Sequence, residues 1–372
     1  MGYSKAAVIG STALVSSLWT CCAFVAPSSS LSMGRAATAA AVRSGRSTST
    51  ARNGVVGPIM ALKGLARKAK EAQVSKDMED LRSSEPDSPV FKILEQAEAG
   101  TGAGDDPEYP LSSVLRKNEG TLSVVAEYRQ ILKSGFIDGM LAPELLCPLI
   151  RNGGAACIAV ATEPQTGGCS DADLAKVVTE QENSRGDFPG PMPVIVRDLV
   201  ISEFEIARAK AAGASGVTVV LALVGAERAA ELAGFCKKLG MEAVVQTTSQ
   251  EEIEQAAASE DISIISVVGK GLEGATELLP HIPERVVSVV HVDRTSDECL
   301  DEIEDCWKLR DAGYNTVWVS EVLYKGGMTQ ADESAEAIIK AIRAKGSVKY
   351  GRARGMSGKG EGAKEYLGYL AQ

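Results

Sequence analysis

The chain has 372 residues, 45% of them hydrophobic and 24% charged, and this composition excludes an intrinsically disordered protein. The formal net charge is −10, but residues 1–70 hold nine basic and no acidic residues, which leaves 30 basic and 49 acidic residues in 71–372. An acidic body of this kind repels nucleic acid, so we expect no nucleic-acid partner.

The first 55 residues are typical of a targeting sequence. Lys5 precedes an apolar run, Ala6–Trp19, which is too short to span a membrane but suits the core of a signal peptide. The stretch that begins at Phe24 is rich in Ser, Ala and Arg and lacks acidic residues, as transit peptides do. This layout resembles the bipartite presequences of algae with complex plastids. We predict a signal peptide over 1–23, a transit segment over 24–55 and a mature protein in the plastid (chloroplast) stroma. A secreted protein with a disordered arm is the alternative.

Residues 56–110 are predicted to form a helical N-terminal extension and a linker. A charged helical stretch runs from Lys63 to Arg82, Pro89 begins a short amphipathic helix, and Thr101–Pro110 has the composition of a loop. Nothing after the presequence is long and apolar enough to span a bilayer, so we expect no transmembrane segment in the mature chain.

From about Thr121 the chain repeats one unit, in which a helix ends in a small residue or Gly and a strand rich in β-branched residues follows. Continuous Val/Ile runs are typical of strands that are buried on both faces. Eight units over residues 111–345 favour an α/β fold, a (β/α)8 TIM barrel, and an open doubly wound sheet is the alternative. The eight predicted strands are Ser123–Tyr128, Cys157–Ala161, Val194–Arg197, Val217–Leu223, Ala243–Gln246, Ile262–Val267, Val286–His291 and Thr316–Val319.

Residues 346–372 are predicted to form a basic, glycine-rich tail that ends in the aromatic and aliphatic cluster Tyr366–Leu370. Such a tail either is flexible or docks a protein partner. The cysteines are scattered and show neither a CxxC pair nor a nearby His at metal-ligand spacing, so we expect no metal and no cofactor.

Active sites of (β/α)8 barrels lie at the carboxyl ends of the strands, and polar residues follow most of the predicted strands here. A lone histidine at such a position either titrates usefully or is a satisfied polar residue. The Lys-Gly-Gly run after strand eight either cradles a phosphate or forms a plain loop. The candidate site residues are Glu127, Arg129, Arg197, Gln246, Lys270, His291, Ser320, Lys325, Gly326 and Gly327.

Three segments resemble the indole-3-glycerol-phosphate synthase family. Val124–Gln130 is similar to its A-E-x-K-K strand, Pro193–Val224 to its P-V-L-R-K-D segment and the helix and strand that follow, and Met241–Ala256 to its L-E-x-L-V-E-V-H segment. The resemblance covers about Pro89 to Ala344. It implies a TIM barrel with an extra N-terminal helix that closes the barrel bottom. It also implies a carboxy-lyase of tryptophan biosynthesis, which converts an anthranilate-derived carboxyphenylamino-deoxyribulose phosphate into indole-3-glycerol phosphate.

The catalytic residues that the resemblance implies are mostly substituted. Glu127 matches the family's active-site glutamate. Arg129 stands where a lysine holds anionic groups, Arg197 replaces the general-acid lysine, and Gln246 replaces the glutamate that exchanges a proton. Arginine stays protonated in proteins and glutamine has no acidic proton, so neither can transfer the proton that the family's reaction requires.

The phosphate-binding positions that the resemblance implies are also changed. Val292 and Val322 stand where the family's glycines allow a phosphate to approach the backbone, and the asparagine of strand six is Val268 or Gly269. Branched side chains at these positions oppose phosphate binding.

These substitutions predict a catalytically degenerate barrel, a pseudoenzyme in which Glu127 forms a buried charged pair with Arg129 or Arg197. Such a barrel would act by binding a protein partner or a phosphorylated or carboxylate small molecule. Two enzymatic alternatives stay open. One is an active synthase with altered catalytic residues, and the other is a barrel that uses His291 on a different anionic substrate.

Overall fold

The computed structural model describes residues 56–99, 110–118, 120–132, 135–136, 142–293, 295, 299–324 and 331–344. The predicted signal peptide and transit segment, most of the predicted Thr101–Pro110 loop, the run Lys325–Gly327 and the basic tail lie outside the described residues.

Eight parallel strands form a closed barrel, which confirms the fold class expected from the sequence. Each strand pairs with the next one along the chain, and the eighth pairs with the first. The strands are β1 (Ser123–Tyr128), β2 (Cys157–Ala161), β3 (Val194–Arg197), β4 (Gly216–Val220), β5 (Glu242–Thr247), β6 (Ile264–Val267), β7 (Val287–Val292) and β8 (Thr316–Val319).

In the described part of the chain, three helices precede the barrel: α1 (Val56–Ser84), α2 (Pro89–Glu98) and α3 (Leu111–Leu115). The helices that follow the strands are α4 (Pro143–Gly153), α5 (Asp171–Asn183), α6 (Glu203–Ala211), α7 (Leu221–Val224), α8 (Ala226–Lys238), α9 (Gln250–Ala257), α10 (Gly271–Leu278), α11 (Leu300–Ala312) and α12 (Ala331–Ala344). Short 3-10 helices span Leu279–His281 and Glu321–Leu323, and Ile131–Leu132 pairs with Gly135–Phe136 in a small hairpin after β1.

The interior of the barrel is apolar at its N-terminal end. Val125, Val244 and Trp318 belong to one buried cluster that also contains Leu111 and Leu115 of α3. This short helix, which the sequence analysis did not predict, therefore closes the barrel bottom. The predicted helix that Pro89 begins packs instead against α6. The alternate strand residues face outward and form a second, larger cluster beneath the surrounding helices.

Four predicted strands differ from the observed ones in their bounds, and the largest difference concerns β4. The run Val217–Leu223 was expected to be a single strand, but β4 ends at Val220 and the chain turns into α7. The turn leads to Gly225, whose φ of 85° lies in the left-handed region that favours glycine. The run is apolar throughout, so its hydrophobic periodicity does not mark the end of the strand.

The long helix α1 packs on the barrel through a narrow stripe. Ala66 and Lys70 are buried, whereas most of the other described side chains of this helix are partly or fully exposed. Toward the C-terminal end of α1, Val74, Met78 and Leu81 pack against an apolar cluster formed with residues of α2 and α6. Across the described ranges, no helix combines the length and the hydrophobicity that a membrane span requires.

Candidate functional site

The carboxyl ends of the strands carry a layer of polar side chains that face the barrel interior. Strand residues alternate between the two faces, so a residue two positions after an interior apolar residue also points inward. A polar residue stands two positions after each of six apolar interior residues, which are Val125, Ile195, Val244, Ile264, Val289 and Trp318. The inward-facing polar residues are Glu127, Arg197, Gln246, Ser266, His291 and Ser320, and we call this region the barrel mouth.

Glu127 lies at the centre of the contacts in the barrel mouth. Its side chain is fully buried, and Arg197 donates to its Oε2 atom in the buried ion pair that the sequence predicts. Trp318 Nε1 donates to the same oxygen over 2.7 Å, and Ser320 Oγ donates to Oε1 over 3.0 Å. Arg129 Nη1 also lies 3.6 Å from Oε1. The two carboxylate oxygens therefore take part in four interactions.

Arg129 is held by contacts within the protein. Its Nε donates to the carbonyl oxygen of Ile131 over 2.6 Å, Nη1 donates to Ser320 Oγ over 2.9 Å, and Nη2 donates to the carbonyl oxygen of Thr166. Nη1 also lies 3.7 Å from Glu321 Oε1. The guanidinium fixes the hairpin after β1 and the loop after β2, so much of its hydrogen-bonding capacity is already used.

The arginines control the protonation of Glu127. Burial alone would raise the pKa of this carboxyl group, but the charges of Arg197 and Arg129 and the hydrogen bond from Trp318 lower it to about 2. Burial lowers the pKa of Arg197, yet a guanidinium starts so high that it stays protonated. Glu127 is therefore ionised at neutral pH and has no proton to donate.

His291 lies against the same cluster without titrating near neutrality. Its ring stacks on Trp318, with ring centroids 4.8 Å apart and an interplanar angle of 15°. Burial and the positive charge of Arg197 lower the pKa of His291 to about 3. The imidazole is therefore neutral at pH 7.

The half of the barrel mouth formed by β5, β6 and β7 is polar but uncharged. Gln246 and Ser266 are directly paired in register, and His291 lies two residues beyond the partner of Ser266. Gln246 Nε2, Ser266 Oγ and His291 Nε2 are buried and have no hydrogen-bond partner among the described residues. Each unpaired buried polar group costs about 1–3 kcal/mol, so a bound molecule or ordered water that paired them would be stabilised.

The remaining sequence candidates do not join this cluster. The Lys270 side chain is exposed at the start of α10, and the contacts of Glu127 do not include it. Lys325, Gly326 and Gly327 lie outside the described residues. Val292 and Val322, where the family resemblance expects phosphate contacts, are both buried, Val292 at the end of β7 and Val322 in the 3-10 helix after β8.

The sequence did not reveal several contributors to the barrel mouth. Trp318 lies within the last predicted strand, and its indole donates to Glu127 and stacks on His291. Tyr324 OH donates to the carbonyl oxygen of Glu127 over 2.7 Å and accepts from the backbone N–H of Arg129 over 3.3 Å. Its hydroxyl thereby ties the chain after β8 to the end of β1.

A second buried ion cluster lies beside the barrel mouth. Lys70 of α1 places Nζ 2.9 Å from Asp198 Oδ1 and 3.2 Å from Glu205 Oε1. Asp198 immediately follows Arg197 and also accepts from the backbone N–H of Leu199 over 2.6 Å. The N-terminal extension is thus anchored at the turn that positions Arg197. In the part of the chain that the structure describes, no group of His, Cys, Asp and Glu residues has the arrangement of a metal site.

The fold and the barrel mouth together define a (β/α)8 barrel whose candidate site lies at the carboxyl ends of its strands. Comparison with known proteins gives the family. The family model described as indole-3-glycerol phosphate synthase matches residues 79–331. The chain belongs to the indole-3-glycerol phosphate synthase family.

Individual relatives are distant. The chain is 26% identical to indole-3-glycerol phosphate synthase of Carboxydothermus hydrogenoformans over 258 residues, which cover 66% of this chain and 91% of that protein. It is 27% identical to the Micrococcus luteus synthase over 277 residues, covering 72% of this chain and 93% of that protein. Among solved structures it is similar to phosphoribosylanthranilate isomerase from Thermotoga maritima, with a TM-score of 0.41 and 14% identity over 60% of this chain and all of that one.

Proposed function

We propose that this chain is a noncatalytic member of its family, in which the barrel mouth binds a small uncharged molecule and no longer performs ring closure. The observation that carries the proposal is the ion network around Glu127. The network keeps Glu127 ionised, and His291 beside it is neutral. General acid–base catalysis needs a group whose pKa lies near the working pH, and neither residue provides one.

The charge balance of the barrel mouth supports an uncharged ligand. Arg129 and Arg197 are balanced by Glu127 and Glu321, so the four charges sum to zero. Glu127 already pairs with the guanidinium groups of Arg129 and Arg197. A bound anion would have to compete with Glu127 for the same N–H donors. The phosphorylated or carboxylate ligand expected from the sequence stays a prediction, and this balance argues against it.

The three unpaired polar groups of β5, β6 and β7 indicate where the ligand would bind. A protein that keeps buried groups unpaired loses stability, and binding sites commonly carry such a cost. We therefore expect the ligand to present hydrogen-bond donors and acceptors to Gln246, Ser266 and His291.

The experiment compares two buried glutamines. Gln246→Leu should raise the melting temperature, because it removes an amide nitrogen that has no described partner. Gln181→Leu is the matched control and should lower it, because the side chain of Gln181 accepts from the backbone N–H of Met192 over 2.8 Å. A lower melting temperature for Gln246→Leu would show that Gln246 is structurally paired and would remove the basis of the binding proposal.

Titration calorimetry with inorganic phosphate tests the ligand class. The full chain should show no heat of phosphate binding, because the arginines are already neutralised. Phosphate binding that disappears in Lys325→Ala would instead indicate a phosphate site at the Lys-Gly-Gly run. That result would support the second candidate function.

The second candidate is an active synthase with altered catalytic residues. It is favoured by the retained Glu127 at the family's glutamate position and by the match of the family model to residues 79–331. The two candidates differ in turnover of the family's substrate, which only the second predicts.

A further inference from the structure

A cavity of about 270 Å3 lies on the outer side of the barrel sheet, between β3 and the helices α2, α5 and α6. Most of its wall is apolar and includes Val90, Leu174, Val196, Val200 and Ala209. Val196 and Arg197 are adjacent strand residues and point to opposite faces, so the sheet separates this cavity from the barrel mouth. A cavity of about 150 Å3 is large enough for benzene, so this one has room for an aromatic ring with a short chain.

The cavity also has a polar wall. Thr162, Asp198 and Glu205 line it, and all three residues are buried. Thr162 is 8% exposed, and its hydroxyl has no hydrogen-bond partner among the described residues. A buried, unpaired hydroxyl beside two carboxylates forms a set of hydrogen-bond acceptors for a donor inside the cavity.

The charges around the cavity are not balanced. The single ammonium group of Lys70 serves both Asp198 and Glu205, at 2.9 and 3.2 Å. Arg208, a cation that lines the cavity itself, is already paired with Asp77 at 3.4 Å. When both carboxylates are ionised, one of them therefore lacks a counter-charge, which a cation bound in the cavity would supply. Burial, opposed by Lys70 but reinforced by the negative charge of Asp198, raises the pKa of Glu205.

We propose that this cavity binds a small organic cation, a primary amine carried on an apolar body of about the size of a phenyl ring. The body would pack against the apolar wall. The ammonium group has three donors, which the Thr162 hydroxyl and the carboxylates of Asp198 and Glu205 can accept. The proposal is independent of the ligand proposed for the barrel mouth.

A series of three probes of similar size and different charge tests the proposal: 2-phenylethylamine, 2-phenylethanol and 3-phenylpropionate. Calorimetric titration of the full chain should give a Kd for the amine that is about tenfold or more below that of the alcohol, because a hydrogen bond to a charged group is stronger than a neutral one. The carboxylate should not bind, because its charge repels Glu205. Equal affinity for the amine and the alcohol, or no binding of either, would overturn the proposal.

Variants locate the bound amine. Glu205→Gln should lower the affinity for 2-phenylethylamine to that for 2-phenylethanol. Glutamine also preserves the capping box of α6. Thr162→Val should weaken the amine by about two- to tenfold. Filling the cavity with Ala209→Leu should abolish binding of both probes. Ala212→Leu fills the same cavity from a half-buried position and serves if Ala209→Leu does not fold.

The control variant is Ser266→Ala, which removes a buried unpaired hydroxyl from the barrel mouth and not from this cavity. It should leave the affinity for 2-phenylethylamine unchanged. Loss of amine binding in Ser266→Ala, together with unchanged binding in Ala209→Leu and Ala212→Leu, would place the probe in the barrel mouth and contradict the proposal.

Discussion

Replacing His291 with Gln should remove part of the protein's sensitivity to acid. The folded protein holds His291 with a pKa of about 3, whereas a histidine in the unfolded chain titrates near 6.5. Below pH 6.5 the unfolded chain binds a proton at this residue and the folded protein does not. The stability that His291 contributes is therefore fully present above pH 6.5 and is lost as the pH falls toward 3.

The size of the effect follows from the difference in pKa. One pKa unit corresponds to about 1.4 kcal/mol, so the whole shift is worth up to about 5 kcal/mol between pH 6.5 and pH 3. Between pH 6.5 and pH 5 the share of His291 is about 1.5 kcal/mol. This narrower window stays above both the ordinary pKa of the Glu127 carboxyl group, 4.5, and its folded pKa of about 2.

The assay is urea unfolding of the full chain at pH 6.5 and at pH 5. The free energy of unfolding should decrease from pH 6.5 to pH 5 in both proteins. The decrease should be smaller in His291→Gln than in the unmodified chain, by about 1.5 kcal/mol. Comparing the two pH values cancels the lost stacking on Trp318. The chain has one other histidine, His281, whose side chain is 33% exposed, and the same measurement on His281→Gln is the control for loss of an imidazole. If the free energy of unfolding decreases by the same amount in His291→Gln as in the unmodified chain, His291 is not a buried, neutral imidazole and the reasoning is refuted.

Other predictions follow from the two ion clusters and from the N-terminal sequence. Arg197→Met should lower the free energy of unfolding by about 3–5 kcal/mol, because buried Glu127 would lose its closest counter-charge and keep only Arg129, at 3.6 Å, and an unchanged melting temperature would argue for a solvated pocket. Lys70→Met should also destabilise the full chain by about 3–5 kcal/mol in urea unfolding, whereas the exposed control Lys68→Met should not, and equal effects would argue against a buried anchor. We also propose import into the plastid with loss of the presequence. Mass spectrometry of the native protein should then find no peptide from Met1–Cys22, and finding one would contradict this proposal.

Much of the fold could be predicted from the sequence, because parallel strands buried on both faces leave continuous Val/Ile runs. Four of the eight predicted strands, including Ser123–Tyr128, have the observed bounds. The error at Val217–Leu223 arose because an apolar strand passes directly into an apolar helical turn. Secondary-structure patterns carry little information about such a boundary.

The candidate site could be predicted only in part. The positions at the strand ends were identifiable because the barrel places them together, and the pairing of Glu127 with Arg197 follows from opposite charges on inward-facing positions. The contributions of Tyr324 and Lys70 were not predictable. Tyr324 reaches Glu127 across 197 positions of the chain, and Lys70 reaches Asp198 across 128. No local sequence pattern marks either contact.

The central claim is that the barrel no longer performs the family's ring closure, and turnover tests it most directly. The full chain is incubated with carboxyphenylamino-deoxyribulose phosphate, and indole-3-glycerol phosphate is measured by its indole fluorescence. Each lost proton-transfer group typically costs 10²–10⁴-fold, so we expect no rate above that of buffer, even after Arg197→Lys and Gln246→Glu are combined. Turnover by the unmodified chain that is lost in Glu127→Gln would contradict the account, because it would come from this barrel mouth and not from a contaminating synthase.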